Sequence, residues 1–144
     1  MMKNYRVAAG ATLIVLAACA PEPDGSAGGD TSNQGTVAPV ESSEGMLVIR
    51  MSDDMAFGPE HALINVGDTV VWIQEGALPH TTSDGPGKAA VPEHALLPEG
   101  AEPWDSGLLD PGQRFSVVFD TPGEYTYLCT IHEAAGMVGR ITVR

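Results

Sequence analysis

Basic side chains are scarce in this chain: 7 Lys and Arg stand against 19 Asp and Glu, and the formal net charge at pH 7 is −12. Nucleic-acid binding rests on Lys and Arg meeting phosphate, so the balance argues against that class of partner. It suits a soluble domain that meets a basic partner, and equally one that is acidic only for solubility. Cysteine is scarcer still, with 2 residues, at positions 19 and 129, and there are only 4 histidines. Nothing repeats, and no long segment shows helical periodicity. Long apolar runs are also missing. The one candidate, Val7 to Ala18, is about a dozen residues, short of the roughly 20 that a membrane-spanning helix needs.

That run follows Lys3 and Arg6, and a short positive region before a short apolar one suits a secretory signal. It ends in Leu16-Ala17-Ala18-Cys19, which resembles the lipobox of bacterial lipoproteins. The resemblance implies cleavage before Cys19 and lipid attachment to its sulfur, so residues 1–18 are expected to be a signal peptide. Without them the chain loses Lys3 and Arg6 and no acid, which takes the formal charge from −12 to −14. Residues 19–45 are rich in Gly, Ser, Pro and acid, too poor in apolar surface to offset the entropy of ordering, and are expected to be a flexible tether. A lipidated Cys19 leaves Cys129 without a disulfide partner. A lone thiol in an exported protein favours a metal ligand over a structural role.

Residues 46–144 are expected to form one domain. Short β-rich runs recur in it: "MLVIRM" (46–51), "ALINV" (62–66), "TVVWIQ" (69–74), "RFSVVF" (114–119), "EYTYLC" (124–129) and "VGRITV" (138–143). Gly67-Asp68 and Asp120-Thr121-Pro122-Gly123 are tight-turn signals between them. Six short strands in about a hundred residues predict an all-β sandwich. Residues 85–104 break the pattern with Pro and Gly and are expected to be a long surface loop, with a helical turn over 93–97 and an exposed His94. His61 is likewise expected to be a surface residue without a role.

The chemistry concentrates near the C-terminus. Cys129, His132 and Met137 follow the spacing C-x2-H-x4-M in one loop between two strands, and Gly136 permits an unusual backbone conformation beside Met137. A fourth donor must come from elsewhere, and His80, stiffened by Pro79, is the candidate. Two imidazoles, a thiolate and a weak thioether describe an electron-transfer copper site, although imidazole and thiolate together also suit zinc.

With those residues in view, the domain resembles a cupredoxin of the plastocyanin, pseudoazurin and amicyanin group. "INVGDTVVW", "LPHT" and "DSGLLDPGQRFSVVFDTPGEYTYLCTIHEAAGMVGRITV" carry the likeness. The resemblance implies a Greek-key β-sandwich with one long loop insertion. It implies one type 1 copper, held by His80, Cys129, His132 and Met137. Thr81 and Thr130, each following a ligand, are candidates for hydrogen bonds that lock the two ligand loops together. Ala77, Leu78, Ala134, Ala135 and Gly136 are expected to form an apolar docking patch round His132, the electron's exit. Two departures stand out: Gln74-Glu75-Gly76 lies where many members carry an Asn, and Leu128 replaces the exposed tyrosine common before the ligand cysteine. The expected function is single-electron shuttling at the bacterial cell envelope by a lipid-anchored monomer. Its redox partner would be a cytochrome, a respiratory or photosynthetic complex, or a dehydrogenase. A copper carrier or store is the alternative. An oxidase or nitrite reductase is not expected, because Cys129 is flanked by Leu128 and Thr130 rather than by further histidines.

Overall fold

The computed structural model describes residues 39–144. The expected signal peptide, Cys19 and most of the expected tether lie outside the described residues. Eight strands are present among those described: β1 (Val40–Glu41), β2 (Met46–Ser52), β3 (Ala56–Gly58), β4 (His61–Ile64), β5 (Thr69–Gln74), β6 (Arg114–Val118), β7 (Gly123–Leu128) and β8 (Val138–Val143). They form two four-stranded sheets, ordered β1-β4-β8-β7 and β3-β2-β5-β6. The sequence reading had the β-sandwich, and two of its runs coincide with β5 and β8 residue for residue.

Alternation explains the strands. Along β2, Leu47, Ile49 and Met51 are buried and their neighbours are not; along β5 the buried positions are Val70, Trp72 and Gln74. A period of two sends one set of side chains to the core and the other to solvent. Tyr125 and Tyr127 of β7 and Ile141 and Val143 of β8 supply the facing layer. Trp72 lies at the centre, its ring centroid 5.4 Å from those of both Trp104 and Tyr127.

Two findings correct the sequence reading, and one, on the turns, extends it. First, order begins before residue 46: Val40 and Glu41 pair in parallel with Ala62 and Leu63, so β1 falls inside the expected tether. The Ser42 hydroxyl then donates to Asp68 and helps fix the entry. Second, the two tight turns do not join neighbouring strands. Gly67-Asp68 leads from β4 in one sheet to β5 in the other, and Asp120 to Gly123 leads from β6 back to β7. Gly67 adopts a φ of +91°, and its N–H donates to Phe119 O at 2.8 Å, so the two sheet-crossing turns bond to each other.

Third, residues 85–104 are more than a surface excursion. The main chain of Leu96 exchanges both hydrogen bonds with Thr126, at 3.0 and 2.8 Å, and Ser83, just before the segment, does the same with Leu128, at 3.0 and 2.9 Å. β7 is the outer strand of its sheet, and these bonds occupy its otherwise open edge. The helical turn sits at Pro92–His94 rather than 93–97. His94 is half-buried, not exposed, because its Nδ1 lies 2.9 Å from Glu133 Oε1. At the loop's end Trp104 returns to the core, its indole N–H donating to Thr82 Oγ1 at 3.1 Å and its backbone N–H to Asp84 Oδ1 at 2.8 Å.

Two expected outcomes test this packing. Asp84 is fully buried, its Oδ2 has no hydrogen-bond partner, and burial pushes its pKa from 3.8 up to about 6, against the opposing pull of the Trp104 N–H. The folded protein therefore holds this proton more tightly than the unfolded chain does. The stability so gained is present below about pH 4 and is lost as pH rises through 6. At about 1.4 kcal/mol per unit, the loss is about 2–3 kcal/mol. Asp84→Asn should unfold at higher urea than the parent at pH 7.5 and at the same urea at pH 4; equal midpoints at both would show a solvated carboxyl. In β8, Gly139 pairs across from Tyr127, and a Cβ there would lie 2.3 Å from Tyr127 Cζ. Gly139→Ala should cost about 3 kcal/mol through overpacking. An unchanged urea midpoint would show that the ring has room to move.

Candidate metal centre

The site begins where β7 stops. Cys129 N donates to Met137 O at 3.0 Å, which extends the β7–β8 ladder by one residue and ties Met137 to Cys129 through the main chain. Between them the chain makes two small turns. His132 N donates to Cys129 O at 3.1 Å, and a 3-10 turn over Glu133–Ala135 closes with Gly136 N on Glu133 O at 2.8 Å. Gly136 then takes a φ of +86°, a left-handed conformation that glycine adopts without Cβ strain. Met137 N donates back to His132 O at 3.3 Å. The short loop thus folds over so that its two ends meet.

His80 arrives from the other sheet, after β5. Its main chain exchanges two hydrogen bonds with Leu109, at 3.2 and 2.8 Å. The approach from β5 is tied by two residues that sequence reasoning did not assign to the site. Gln74 donates from Nε2 to Leu78 O and, at 3.2 Å, to Gly76 O. Asp53 Oδ1 accepts the Leu78 N–H at 2.9 Å, so close to the loop that a Cβ on Gly76 would lie 2.3 Å from it. A signal for Gln74 was present: it holds the inward phase of β5, where Val70 and Trp72 precede it, and a polar residue in a core phase needs a local partner. Asp53 carried no such signal, because it bonds across 25 residues of sequence.

The ligand-type atoms converge. His80 Nδ1 and His132 Nδ1 lie 3.0 Å apart, and Cys129 Sγ lies 3.8 Å from the first and 3.6 Å from the second. One ion bonded at about 2.0 Å to imidazole nitrogen and about 2.3 Å to thiolate sulfur spans such separations. His80, Cys129 and Met137 are buried and His132 is half-buried. Burial, and next the neighbouring His132 ring, hold the His80 pKa below its ordinary value, so its imidazole stays neutral with a lone pair free for a metal. Two imidazole nitrogens and a sulfur, crowded together in a dry place, form an electron-rich centre that a soft cation relieves.

Thr81 and Thr130 bridge the two ligand loops. Thr81 Oγ1 accepts the Thr130 N–H at 2.8 Å and lies 3.0 Å from Thr130 Oγ1. The Thr81 N–H points at Cys129 Sγ from 3.3 Å, where it stabilises negative charge on sulfur. Glu133, next to His132, reaches the other way: Ala90 N and Val91 N donate to its two oxygens at 2.8 and 2.9 Å. Those two N–H groups hold its pKa below the usual carboxylate range.

Ala77, Leu78, Ala134, Ala135 and Gly136 are all exposed. Two larger apolar residues that sequence reasoning did not include extend the surface: Ile131, 51% exposed beside His132, and Leu108, 56% exposed beside the Leu109 that holds His80. Leu128 is wholly buried, so no side chain is presented at the position before Cys129. His61 and His94 lie apart from the cluster, against Thr142 at 3.3 Å and Glu133 at 2.9 Å.

Known proteins are similar to this chain in sequence and in fold. The family described as copper binding proteins, plastocyanin/azurin family, matches residues 44–144. A chloroplastic plastocyanin of Tetradesmus obliquus is 37% identical over 93 residues, a match that covers 65% of this chain and 61% of that protein's length. A plastocyanin of Scenedesmus fuscus is 34% identical over 97 residues, covering 65% of this chain and 91% of that one. Among solved structures, a reduced-state amicyanin mutant superposes with a TM-score of 0.55 at 26% identity, covering 72% of this chain and 86% of the other. His80, Cys129, His132 and Met137 are positioned as a type 1 copper site, and the chain belongs to the plastocyanin/azurin family of copper-binding proteins.

Proposed function

We propose that this protein is a blue copper electron carrier, in which His80, Cys129, His132 and Met137 would hold the metal. The observation that carries the reading is the triangle of two Nδ1 atoms and one Sγ, with sides of 3.0, 3.6 and 3.8 Å, closed through Thr81. Bound copper supplies a one-electron couple. The chain's part is to keep one geometry in both oxidation states and to admit a partner without admitting water. Buried His80, Cys129 and Met137 exclude solvent, and the Thr81 N–H and hydroxyl hold the sulfur against the His80 loop. Half-buried His132 is the exit, flanked by exposed Leu78, Ile131 and the small residues 134–136, over which a redox protein could come close.

The reading is of a monomeric carrier rather than an enzyme. His61 and His94 are engaged elsewhere, which leaves no further histidine near Cys129 for a second centre. Delivery of copper fits less well, since three of the four donor residues are closed off from an acceptor. Export, a signal peptide over 1–18, lipidation at Cys19 and a tether that holds the 46–144 domain off an envelope membrane complete the proposal. They rest on the sequence of residues 1–45 and on the acidic balance. Among the described residues no helix is long and apolar enough to cross a membrane.

The copper-loaded protein should absorb intensely toward the red through thiolate-to-copper charge transfer, and Cys129→Ser should abolish the band while Met137→Leu keeps copper and shifts the reduction potential. Colour that survives in Cys129→Ser would remove the assignment. Placing a charge in the patch, as in Leu78→Asp, should slow electron self-exchange about tenfold without altering the absorption band, because like charges then face each other across the contact. An unaltered self-exchange rate would move the exit elsewhere.

A further inference from the structure

The loop that carries His132 is poorly anchored by packing. Between Cys129 and Met137, none of residues 130–136 is buried. Its 3-10 turn has no side-chain cap and no buried member, and His132, at the turn's start, has a φ of −124° and a ψ of 18°. With no apolar foot in the core, the loop depends on polar ties. Thr130 provides one at the beginning, through Thr81. In the middle, among the described residues, the ties to the rest of the fold other than the His132 ring's own contacts with His80 and Cys129 all pass through one carboxylate. Glu133 accepts the Ala90 N–H at 2.8 Å and the Val91 N–H at 2.9 Å, and meets His94 Nδ1 at 2.9 Å.

What Glu133 grips is itself firmly held. The segment with Ala90, Val91 and His94 is fixed a few residues on by the paired bonds of Leu96 to Thr126 of β7, and further on by the buried Trp104. β7 is the strand that ends at Cys129. The carboxylate therefore closes a ring of contacts: Cys129, its own strand, the 85–104 insertion, Glu133, His132 and back to Cys129. A ring of this kind limits how far His132 can move from the sulfur, and hydrogen bonds to a charged acceptor are the stronger sort.

We propose that Glu133 is a positioning residue for His132, acting by fastening the copper loop to the 85–104 insertion so that the half-exposed imidazole keeps one place with and without metal. This rests on the copper reading above, but it makes a claim that does not need the metal. The 85–104 insertion becomes part of the redox centre rather than a decoration beside it.

The test compares Glu133→Ala, Glu133→Gln and His94→Ala with the parent, each as the full chain. Both Glu133 variants remove a negative charge near the copper, and so should move the reduction potential upward together. Only Glu133→Ala also removes every acceptor; Glu133→Gln keeps one oxygen, and His94→Ala keeps the charge while losing one donor. In metal-free protein, Glu133→Ala should lose hydrogen-exchange protection at the Ala90 and Val91 amides and broaden or double the His132 ring resonances. In copper-loaded protein it should alter the Cu(II) EPR hyperfine splitting and speed copper release to a chelator about tenfold, with the other two variants in between. The proposal is overturned if the amides lose protection yet His132 stays sharp and the EPR and release rates match the parent. It is overturned too if Glu133→Gln equals Glu133→Ala in every readout, since charge alone would then explain the effect. If Glu133→Ala does not fold, His94→Ala decides: parental His132 resonances and release rate count against positioning. A parent without a thiolate band would sink the copper reading instead, and the metal-free resonances would still judge the clamp.

Discussion

The contact between Thr81 and Cys129 is the point on which the rest of the molecule turns. The Thr81 N–H reaches the sulfur at 3.3 Å, while its hydroxyl oxygen takes the Thr130 N–H at 2.8 Å. Residues 81 and 129 belong to loops that leave opposite sheets of the sandwich, after β5 and after β7. Without a bridge there, the two histidines would be mounted on independently moving parts. With it, His80 and His132 are carried by what is mechanically one piece. The sheets beneath make this bridge possible: turns at Gly67-Asp68 and Asp120 to Gly123 pass the chain from one sheet to the other at one end, while the two ligand loops lie beyond the ends of β5 and β7.

A rigid centre is not obtained from the sandwich alone. Strands fix what they contain, and Cys129 and Met137 benefit because the β7–β8 ladder runs through them. His132 stands outside any ladder, and His80 has only an isolated bridge to Leu109. Each is therefore held by side chains recruited from elsewhere: Gln74 and Asp53 behind His80, Thr81 and Glu133 about His132. Asp53 also explains Gly76, whose missing Cβ leaves room for the Asp53 carboxylate. The 85–104 insertion meets two needs. It covers the edge of β7 that would otherwise expose unpaired backbone, and it offers N–H groups to the carboxylate beside the ligand.

How much of this was legible depends on range. "TVVWIQ" and "VGRITV" were readable because alternation is local, and both became strands with the expected limits. β1 and β3 were not, since two or three residues with a single buried apolar side chain, Phe57, make no period. The turn residues announced turns correctly but not which sheet came next, because φ > 0 at glycine is needed alike for a hairpin and for a crossing. The three C-terminal donor residues were readable from rare residue types at close spacing, and His80 from its proline and its place after a strand. The insertion was opaque for the opposite reason. Leu96 meets Thr126, Trp104 meets Asp84, and Ala90 meets Glu133 across intervals that no local pattern encodes. His94, judged to be a plain surface histidine, is half-buried through one such interval.

The exposed end of the centre poses a conflict that the structure resolves by dividing tasks. An electron's exit must lie near solvent, yet a ligand near solvent has few apolar neighbours to restrain it. Ala134, Ala135 and Gly136 are suited to close approach because they are small, and for the same reason they bury nothing that would anchor the loop. Larger residues there would steady it only by holding a partner off. The arrangement keeps the approach face small and apolar and moves the restraint to the loop's flank, where Glu133 and the insertion lie. Leu128, fully buried and paired through its main chain with Ser83, presents no side chain at the surface beside the cysteine. On the proposed reading, the face about His132 is where an electron would reach solvent, since His132 is half-buried while His80, Cys129 and Met137 are buried.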